Sequence, residues 1–489
     1  MRKKNNQKKY FIIMIVLVVS AFFMTLLQAN NIYLWDEAVF LSSAETLGYA
    51  HPYYTEIDYR PPLIILLVAF GSLFANIEIA AHIIVAIFFA LAVGGIFLLG
   101  KETFNEKVGI FASILLILAP YFIHWSPKIM NDVPSFGLSL FLFYFLFKWQ
   151  HSKNRLFLFL SGIFCGFCIL MRFTSLMFVP LGFLFIFFVK SKFKEKVSNS
   201  ALFLVFTILT LVPYMLWVQF TQNQFHHPFP FPFITLLFRA QAIAAGSIPA
   251  IIDPLFYFKA SYILIAPVGL AGLILYIVSI IKNKKIFSSE VFLWIWFISF
   301  FIYFSIMAHK EVRYLLPAIP PLLVLASLGY SRIRIPQMKT SFRKIVVLIF
   351  VLIIVLLLIF TFYNFNYFSG KMDFGEDIML ERSAALKQVA PFIKENLLQD
   401  EVIYADSLYP NIAYYTKRKT IATWPWDQEF YKKFPENMPY NGYYVKIKGI
   451  DKEPNEEWLD NSPFFRKIKE EGIIIIYEYK RPIVNSASN

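Results

Sequence analysis

The sequence predicts an all-α membrane protein that crosses the bilayer several times and ends in a small C-terminal α/β domain. Of its 489 residues, 58% are hydrophobic and only 16% are charged, whereas soluble domains carry about 25% charged residues. In a bilayer, long apolar runs satisfy their backbone hydrogen bonds as helices. Such runs occur near residues 10–28, 61–75, 79–100, 108–123, 134–149, 156–171, 173–190, 199–219, 258–281, 290–308, 314–331 and 344–365. From about residue 370 the composition becomes mixed and charged. The sequence therefore divides into a membrane module at 1–369 and an α/β domain at 370–489.

The positions of lysine and arginine predict the topology. Segment 61–75 is apolar, but it opens on Pro61-Pro62 and is shorter than the roughly 20 residues that a spanning helix needs. If this segment does not cross, the basic loops fall on one side of the membrane, which the positive-inside rule assigns to the cytoplasm. The sequence thus predicts a multi-pass protein of the cell membrane with about eleven spans and a juxtamembrane or re-entrant helix at 61–75. It also predicts a cytoplasmic N-terminus and an extracytoplasmic C-terminal domain.

The C-terminal domain alternates helical and extended patterns, which is typical of a small α/β domain. It contains no glycine-rich nucleotide motif and no recognisable catalytic set. The expected elements are a helix at 381–396, a strand at 401–406, a helix after Asp427, a strand near 443–448, a helix at 456–470 and a strand at 472–479.

The predicted topology gathers the polar clusters of the membrane module on its outer face. The first external loop, residues 29–60, carries Asp36, Glu37, Asp58 and Arg60. Charges beside a hydrocarbon segment are costly unless they are solvated, paired or functional. The net charge of +14 does not indicate nucleic-acid binding, because the lysines and arginines lie in short loops between spans, where topology explains them.

Short motifs follow one another along the chain: WDEAVF at 35–40, YRPPL at 59–63, PKIMNDVPS at 127–135 and HKEVRYLLP at 309–317. In their order and shared side they resemble the GT-C membrane glycosyltransferases, and especially the protein O-mannosyltransferases and the bacterial aminoarabinose transferases that act on lipid A. The resemblance covers roughly residues 1–365. It implies a GT-C fold and the transfer of a sugar, with inversion, from a polyprenyl-phosphate donor in the lipid bilayer. The acceptor would be a protein, a lipid or a glycan on the extracytoplasmic face.

The resemblance implies roles for three carboxylates. Asp36 matches the Asp of an aromatic-Asp-Glu motif that is taken as the base for the acceptor hydroxyl, and Glu37 would orient the acceptor or the loop. A carboxylate at the water edge of the membrane is chemically suited to general-base work. Asp132 matches an acid in the second external loop of the family. The alternative is that Asn131 or Asp132 caps the helix that includes Pro134.

Arg60 is the first candidate to bind the donor phosphate. It precedes a proline pair, as a basic residue does in the lipid A enzymes, where that residue is thought to face the carrier phosphate. Tyr59 stands where those enzymes place an acid, and Asp58 and Glu56 are candidates to replace that acid.

A second basic group lies further along the chain. His309, Lys310 and Arg313 precede a proline-bearing apolar helix, and cations at this point would bind the phosphate as it gains charge. The alternative is a capped, charged loop at the interface. Arg172 lies between two apolar runs and is expected to be either a phosphate ligand or the partner of a loop carboxylate, because an unpaired charge at this depth is costly.

The sequence identifies no cofactor and leaves open whether a divalent metal takes part. His226 and His227 lie in the external loop 221–257 but lack an evident third ligand. This proline- and phenylalanine-rich loop is instead expected to lie at the membrane interface.

Three other functions remain as alternatives. One is a different GT-C subfamily, a lipid-linked oligosaccharide mannosyltransferase, because its HKE-x-R-aromatic motif is similar to residues 309–314. Another is a transporter or flippase of lipid-linked glycans, which would place charges along a path through the spans. The third is a non-catalytic receptor that binds through residues 370–489.

Overall fold

The structure, a computed structural model, describes most but not all of the chain. Predictions for Glu56, Asp58, Tyr59, His309, the apolar run at 344–365 and the helix after Asp427 lie outside the described residues. The described residues are 2–48, 60–221, 226–237, 256–283, 286–307, 310–332, 376–398, 401–405, 408–423, 434, 438, 440–449 and 454–481.

Up to residue 332 the described chain is mostly helical. Six helical segments within the described residues are long and apolar enough to cross a membrane. The predicted helical multi-span membrane protein is therefore confirmed, and the number of about eleven spans stays a prediction. The α-helices of this part are Arg2–Leu27, Trp35–Gly48, Pro62–Gly71, Ile77–Thr103, Glu106–Leu118, Pro120–Trp125, Asp132–Ser152, Arg155–Met171, Phe178–Phe188, Phe193–Thr221, Phe256–Asn283, Ser288–Ile306 and Ile319–Ser331, with 3₁₀ turns at Phe173–Met177 and Val312–Ala318.

The segment at 61–75 forms a short helix, Pro62–Gly71, of 10 residues. Proline suits its first position because the N–H of that residue has no partner inside the helix. At 1.5 Å per residue the helix is about 15 Å long, which is about half the thickness of the hydrocarbon core. It is therefore too short to cross a bilayer by itself.

Several predicted spans contain breaks that the sequence analysis did not anticipate. The run at 108–123 divides at Ala119, which ends one helix and precedes Pro120–Trp125. The runs at 173–190 and 314–331 both begin as 3₁₀ turns. Proline has no N–H and interrupts the regular helical ladder, which accounts for the break before Pro120. The breaks create helix ends inside the bundle, and these ends carry the candidate site.

The contacts of the chain divide it into two compact units. The first, which we call the bundle unit, contains Met1–Ala29, Tyr59–Ile64 and His82–Phe374. The second, which we call the mixed unit, contains Asn30–Asp58, Ile65–Ala81 and Gly375–Asn489. The stretch that carries Asp36 thus belongs to the same unit as the C-terminal region.

The described part of the mixed unit contains a five-stranded sheet with strand order β2-β1-β3-β5-β4. Strand β1 is parallel to β2 and β3, whereas β5 is antiparallel to β3 and β4. Tyrosines from β1, β3 and β5 form much of the core. The predicted mixture of helices and strands in the C-terminal region is confirmed as a small mixed sheet with helices, and the division of the chain at residue 370 stays a prediction. The described elements of this region are the helices Glu376–Asn396, Tyr409–Thr416 and Glu456–Asn461 and the strands β1 (Val402–Ala405), β2 (Thr420–Ala422), β3 (Gly442–Ile447), β4 (Phe465–Glu471) and β5 (Ile474–Tyr479).

The predicted helix at 456–470 is wrong in its second half. The helix ends at Asn461, and β4 follows at Phe465–Glu471. Pro463 stops the helix because the residue before a proline avoids helical backbone angles. The lysines and glutamates of β4 favour a helix locally, but antiparallel pairing with β5 overrides that preference.

Candidate active site

A carboxylate and two guanidinium groups meet inside the bundle unit. Asp132 is only 4% exposed and Arg172 only 7%, and Nη1 of Arg172 forms an ion pair with Oδ1 of Asp132. Nη1 of Arg313 lies 3.9 Å from the other carboxylate oxygen. Arg172 also donates to the carbonyl oxygen of Arg313 at 3.5 Å. The structure thus brings together three residues that the sequence analysis selected separately.

Each of the three charged residues stands at a helix end or in a turn. Asp132 is the first residue of its helix, Arg172 follows Met171 with an extended backbone, and Arg313 lies in a 3₁₀ turn. A helix end allows the chain to direct a charge toward partners, whereas a charge in the middle of a span meets only apolar surroundings. Asn131 occupies the N-cap position without a side-chain capping bond. Asp132 therefore pairs with Arg172, as one of the two expectations for Arg172 anticipated.

Two aromatic rings and a second carboxylate complete this group. The Arg172 guanidinium lies 5.0 Å from the ring centre of Tyr314. The Arg313 guanidinium lies 5.6 Å from the Trp125 ring and 5.9 Å from the Tyr314 ring. Glu311 forms an ion pair with Nε of Arg313 and accepts a hydrogen bond from the Tyr314 hydroxyl at 3.2 Å. We call Asp132, Arg172, Glu311 and Arg313, with the rings of Trp125 and Tyr314, the arginine cluster.

The arginine cluster has the chemistry of an oxyanion site. A guanidinium that lies against aromatic rings presents its N–H groups at its edge, and this edge binds carboxylates and phosphates in two-point contacts. Buried ionisable groups in a membrane protein mark functional sites more often than structural ones. The cluster is therefore the strongest candidate site in the described bundle unit.

The sequence analysis did not select Trp125, Glu311 or Tyr314 as site residues. Glu311 and Tyr314 flank Arg313 within HKEVRYLLP, so that motif contained a usable signal. Trp125 had none, because its place depends on the short helix Pro120–Trp125 and on the break before it.

Lys310 and Arg60 are placed differently from the cluster. The buried ammonium of Lys310 donates to the carbonyl oxygens of Ser305 at 3.0 Å and Met307 at 2.5 Å. These carbonyls end helix Ser288–Ile306, where a cation complements the helix dipole. Arg60 is partly exposed in the bend before helix Pro62–Gly71. The phosphate-binding roles of both residues stay predictions.

In the mixed unit, Asp36 and Glu37 lie in the first turn of helix Trp35–Gly48, a stretch that the sequence analysis treated as a loop. Glu37 is buried, and its Oε2 accepts a hydrogen bond from the Leu34 N–H at 2.9 Å. This bond is one half of a capping box, in which a glutamate in the first turn reaches back to the residue before the helix. Asp36 is partly exposed, and the positive end of the helix dipole stabilises a negative charge there. Glu37 thus has a structural role at the start of the helix, and the role of Asp36 as base stays a prediction.

The described residues offer no group of three His, Cys, Asp or Glu side chains that could hold a metal ion. His226 and His227 are both exposed. Whether a divalent metal takes part therefore stays an open question.

Comparisons with known proteins agree with the resemblance drawn from the motifs. Residues 59–218 match the family model of dolichyl-phosphate-mannose-protein mannosyltransferase, and this segment contains Arg60, Asp132 and Arg172. The fold is similar to the crystal structure of ArnT from Cupriavidus metallidurans bound to undecaprenyl phosphate, with a TM-score of 0.69 and 15% identity. That match covers 96% of this chain and 98% of ArnT. The chain therefore has the fold that the resemblance implied, and its match to the mannosyltransferase family model covers residues 59–218.

The chain is also similar in fold to a larger protein. Oligosaccharyltransferase AglB from Archaeoglobus fulgidus, in complex with an inhibitory peptide and a dolichol-phosphate, matches with a TM-score of 0.56 and 12% identity. The match covers 90% of this chain and 70% of AglB. No curated protein sequence matches the chain. At these identities the likeness concerns the fold, so the roles of single residues rest on the chain's own geometry.

Proposed function

We propose that the enzyme transfers one sugar from a polyprenyl-phosphate donor to an acceptor hydroxyl. ArnT in complex with undecaprenyl phosphate supports this donor class, and so does the dolichyl-phosphate-mannose description of the matching family. Within this chain the proposal is carried by the arginine cluster, where two guanidinium groups converge on one buried carboxylate.

In the proposed reaction the acceptor oxygen bonds to the anomeric carbon as the bond from that carbon to the phosphate oxygen breaks. Attack from the face opposite the phosphate inverts the anomeric centre. The electron pair leaves with the phosphate, which changes from a diester to a monoester and gains negative charge. Groups aimed at the position where charge develops lower the barrier. Asp36 would take the proton of the acceptor hydroxyl.

Arg313 is the proposed first ligand of the leaving phosphate. Its partner Glu311 is 20% exposed at the side chain, compared with 4% for Asp132. A phosphate that reaches the cluster can therefore replace the Glu311 carboxylate more easily than that of Asp132. Asp132 pairs with Arg172 and would keep this second guanidinium in place.

The remaining site residues have proposed roles that derive from the resemblance. Arg60 and His309 would be further phosphate ligands, with Asp58 and Tyr59 beside Arg60. Lys310 would contribute by holding the end of helix Ser288–Ile306 next to this segment.

The proposed setting is the extracytoplasmic face of the cell membrane. About eleven spans with a cytoplasmic N-terminus follow from the positive-inside rule. The acceptor is proposed to be a protein, a lipid or a surface glycan.

The test is release of polyprenyl phosphate by the purified protein. Polyprenyl-phosphate sugars are supplied as a panel with native membrane extract as acceptor, and wild type is compared with Asp36→Asn. We expect release with one sugar and its loss in the variant. Release that is unchanged in Asp36→Asn would show that Asp36 is not the base. No release from the folded wild type with any of these donors would overturn the donor class.

A second candidate donor is a lipid-linked oligosaccharide. The fold similarity to the oligosaccharyltransferase AglB supports it. It predicts no release from the monosaccharide donors but turnover of an oligosaccharide diphosphate carrier in the same assay.

A further inference from the structure

The mixed unit contains a hydrogen-bonded network that holds the chain just before Asp36. We propose that three side chains of the C-terminal region, Ser383, Asn411 and Tyr415, position the backbone that carries this candidate base. The proposal rests on the proposed role of Asp36, and it gives the helices of region 376–416 a part in the reaction. We call Ser383, Asn411 and Tyr415 the clamp.

The clamp binds both backbone groups of Tyr33. The Tyr33 N–H donates to the Tyr415 hydroxyl at 2.9 Å. The Tyr33 carbonyl oxygen accepts hydrogen bonds from Oγ of Ser383 and from Nδ2 of Asn411, each at 2.7 Å. Ser383 is 350 residues away in the sequence and Asn411 is 378 residues away, so these bonds depend on the tertiary fold and not on a local turn.

The hydrogens of the clamp have one consistent arrangement. Because the Ser383 hydroxyl donates to Tyr33, its oxygen accepts from the Tyr415 hydroxyl at 2.9 Å and from Asn411 at 3.1 Å. Tyr415 thus accepts from the backbone and donates to Ser383. Ser383 and Asn411 are fully buried. A buried network of this kind favours one geometry, because moving a member leaves a polar group without its partner.

The stretch between the clamp and Asp36 is short and held along its length. Two rings of this stretch pack on helix Tyr409–Thr416. The Tyr33 ring centre lies 5.6 Å from that of Tyr414, and the Trp35 ring centre lies 5.8 Å from that of Tyr409. Glu37 closes the start of the next helix through its bond to a backbone N–H. A displacement of helix Tyr409–Thr416 would therefore displace the backbone at position 36.

Accurate placement is what a general base requires. The base must lie within hydrogen-bond reach of the proton that it removes, and a misplacement of about 1 Å can cost about 100-fold in rate. Burial raises the pKa of the Tyr415 phenol above its usual value, so this hydroxyl keeps its proton at neutral pH. The clamp is then complete under the conditions in which the enzyme works.

The test compares two tyrosines of one helix in the full-length protein. Tyr415→Phe removes the hydroxyl that binds the Tyr33 N–H. Tyr414→Phe is the matched control, because its buried hydroxyl bonds to Glu78 at 2.9 Å instead. The measurements are kcat and KM for the polyprenyl-phosphate sugar, thermal stability, and hydrogen exchange of the Tyr33 amide.

We expect Tyr415→Phe to lower kcat about tenfold, the effect of losing roughly one hydrogen bond of positioning. Its KM for the donor stays unchanged, and its Tyr33 amide exchanges faster. Tyr414→Phe loses comparable thermal stability, but its kcat and its Tyr33 exchange remain near those of wild type. If kcat falls in both variants in proportion to thermal stability, the network is only structural and the proposal is overturned.

The same assay separates the failure of this proposal from the failure of the proposed function. Wild type and Asp36→Asn are measured first. If Asp36→Asn is inactive and Tyr415→Phe keeps full kcat, only the clamp is wrong. If Asp36→Asn is fully active, the proposed base is wrong, and the positioning role of the clamp is rejected with it.

Discussion

Two buried carboxylates in the bundle unit differ in the positive charge around them. Glu290 is fully buried, and its two oxygens bind Arg332 at 2.5 Å and the Tyr276 hydroxyl at 2.9 Å. Arg332 also donates to Ser279 at 2.9 Å. This arrangement matches one carboxylate with one guanidinium, and it joins helices Phe256–Asn283 and Ser288–Ile306 to the residue that follows helix Ile319–Ser331.

Asp132, by contrast, meets two guanidinium groups. Arg172 is paired with one of its oxygens, and Arg313 lies 3.9 Å from the other. The second positive charge is balanced by Glu311, which is partly exposed and precedes the 3₁₀ turn Val312–Ala318. Glu311 can therefore move without unwinding a helix.

The difference separates a structural pair from a site that can exchange its anion. Removing one member of the Glu290 pair leaves a buried charge unpaired and costs stability. In the arginine cluster, we propose that an incoming phosphate replaces the carboxylate of Glu311. The proposed function places the phosphate at the arginine cluster and not at the Glu290 pair. The predictions below test that distinction.

The largest expected effect comes from Arg313→Ala, with Arg332→Ala as its matched control. Removing one preorganised donor to a developing oxyanion costs about 100- to 1,000-fold in kcat, and we expect a loss of this size for Arg313→Ala. Arg332→Ala should lower thermal stability while the folded fraction keeps nearly all of its kcat. Release of polyprenyl phosphate, normalised to folded protein, measures both. An equal loss of kcat in the two variants would show that the arginine cluster and the Glu290 pair do not differ in function.

The second prediction concerns the carboxylates themselves. Asp132→Asn leaves the buried Arg172 guanidinium without its charge partner, which costs about 3–5 kcal/mol of folding stability. Glu290→Gln leaves the partly exposed Arg332 guanidinium without its charge partner, at a smaller cost. We expect both variants to unfold at lower temperature and only Asp132→Asn to lose activity per folded molecule. Thermal unfolding in one detergent, followed by the release assay on the folded fraction, gives the two numbers. A stable Asp132→Asn would mean that the cluster tolerates an unpaired charge, contrary to the geometry.

The sequence could predict Asp132, Arg172 and Arg313 as charged site residues, but not that they meet in the arginine cluster. Arg172 stood out because a charge between apolar runs needs a partner or a role. Its partner, Asp132, lies 40 residues away, and that pairing depends on how two helix ends pack. Arg313 carried a motif signal, whereas Trp125 enters only through a helix break. Single charges are therefore visible in the sequence, but their meeting point is not.

In the mixed unit, some strands and helices could be predicted from the sequence and others could not. Its strands at 401–406 and 443–448 were predictable because apolar and β-branched residues favour extended chain. β4 was not, because its lysines and glutamates suit a helix and only pairing with β5 makes it a strand. The helix at Trp35–Gly48 was missed because its N-cap position is Leu34, which is not one of the usual capping residues. The reciprocal glutamate, Glu37, was the only local cue.

The third prediction tests whether Glu311 can be replaced by phosphate. Glu311→Gln removes the negative charge that competes for Arg313. We expect polyprenyl phosphate to inhibit this variant at a concentration several-fold lower than it does wild type, because the phosphate no longer competes with a carboxylate for Arg313. Glu290→Gln serves as the comparison, because its carboxylate pairs with Arg332 outside the arginine cluster, and we expect its inhibition to match that of wild type. Weaker inhibition of Glu311→Gln would mean that Glu311 orients Arg313 and does not compete for it.

The smallest effect is expected at an ion pair in the mixed unit, between Lys417 and Glu45. Nζ of Lys417 is 2.5 Å from Oε1 of Glu45, with side-chain exposures of 32% and 13%. Burial lowers the pKa of Lys417, and the Glu45 carboxylate partly raises it again. Glu45→Gln should therefore lower the pKa of Lys417 further and cost about 1 kcal/mol of folding stability near neutral pH.

The pH dependence of this cost follows from the direction of the pKa shift. Because Lys417 has a lower pKa in the folded state, the unfolded chain binds more protons between the folded pKa and the unfolded value of about 10.4. Folding stability contributed by Lys417 therefore rises with pH across this window, and it rises more in Glu45→Gln because its window is wider. We expect the difference in thermal stability between wild type and Glu45→Gln to shrink as the pH is raised from 7 toward 10. A difference that stays constant over this range would show that the carboxylate acts through packing and not through the charge of Lys417.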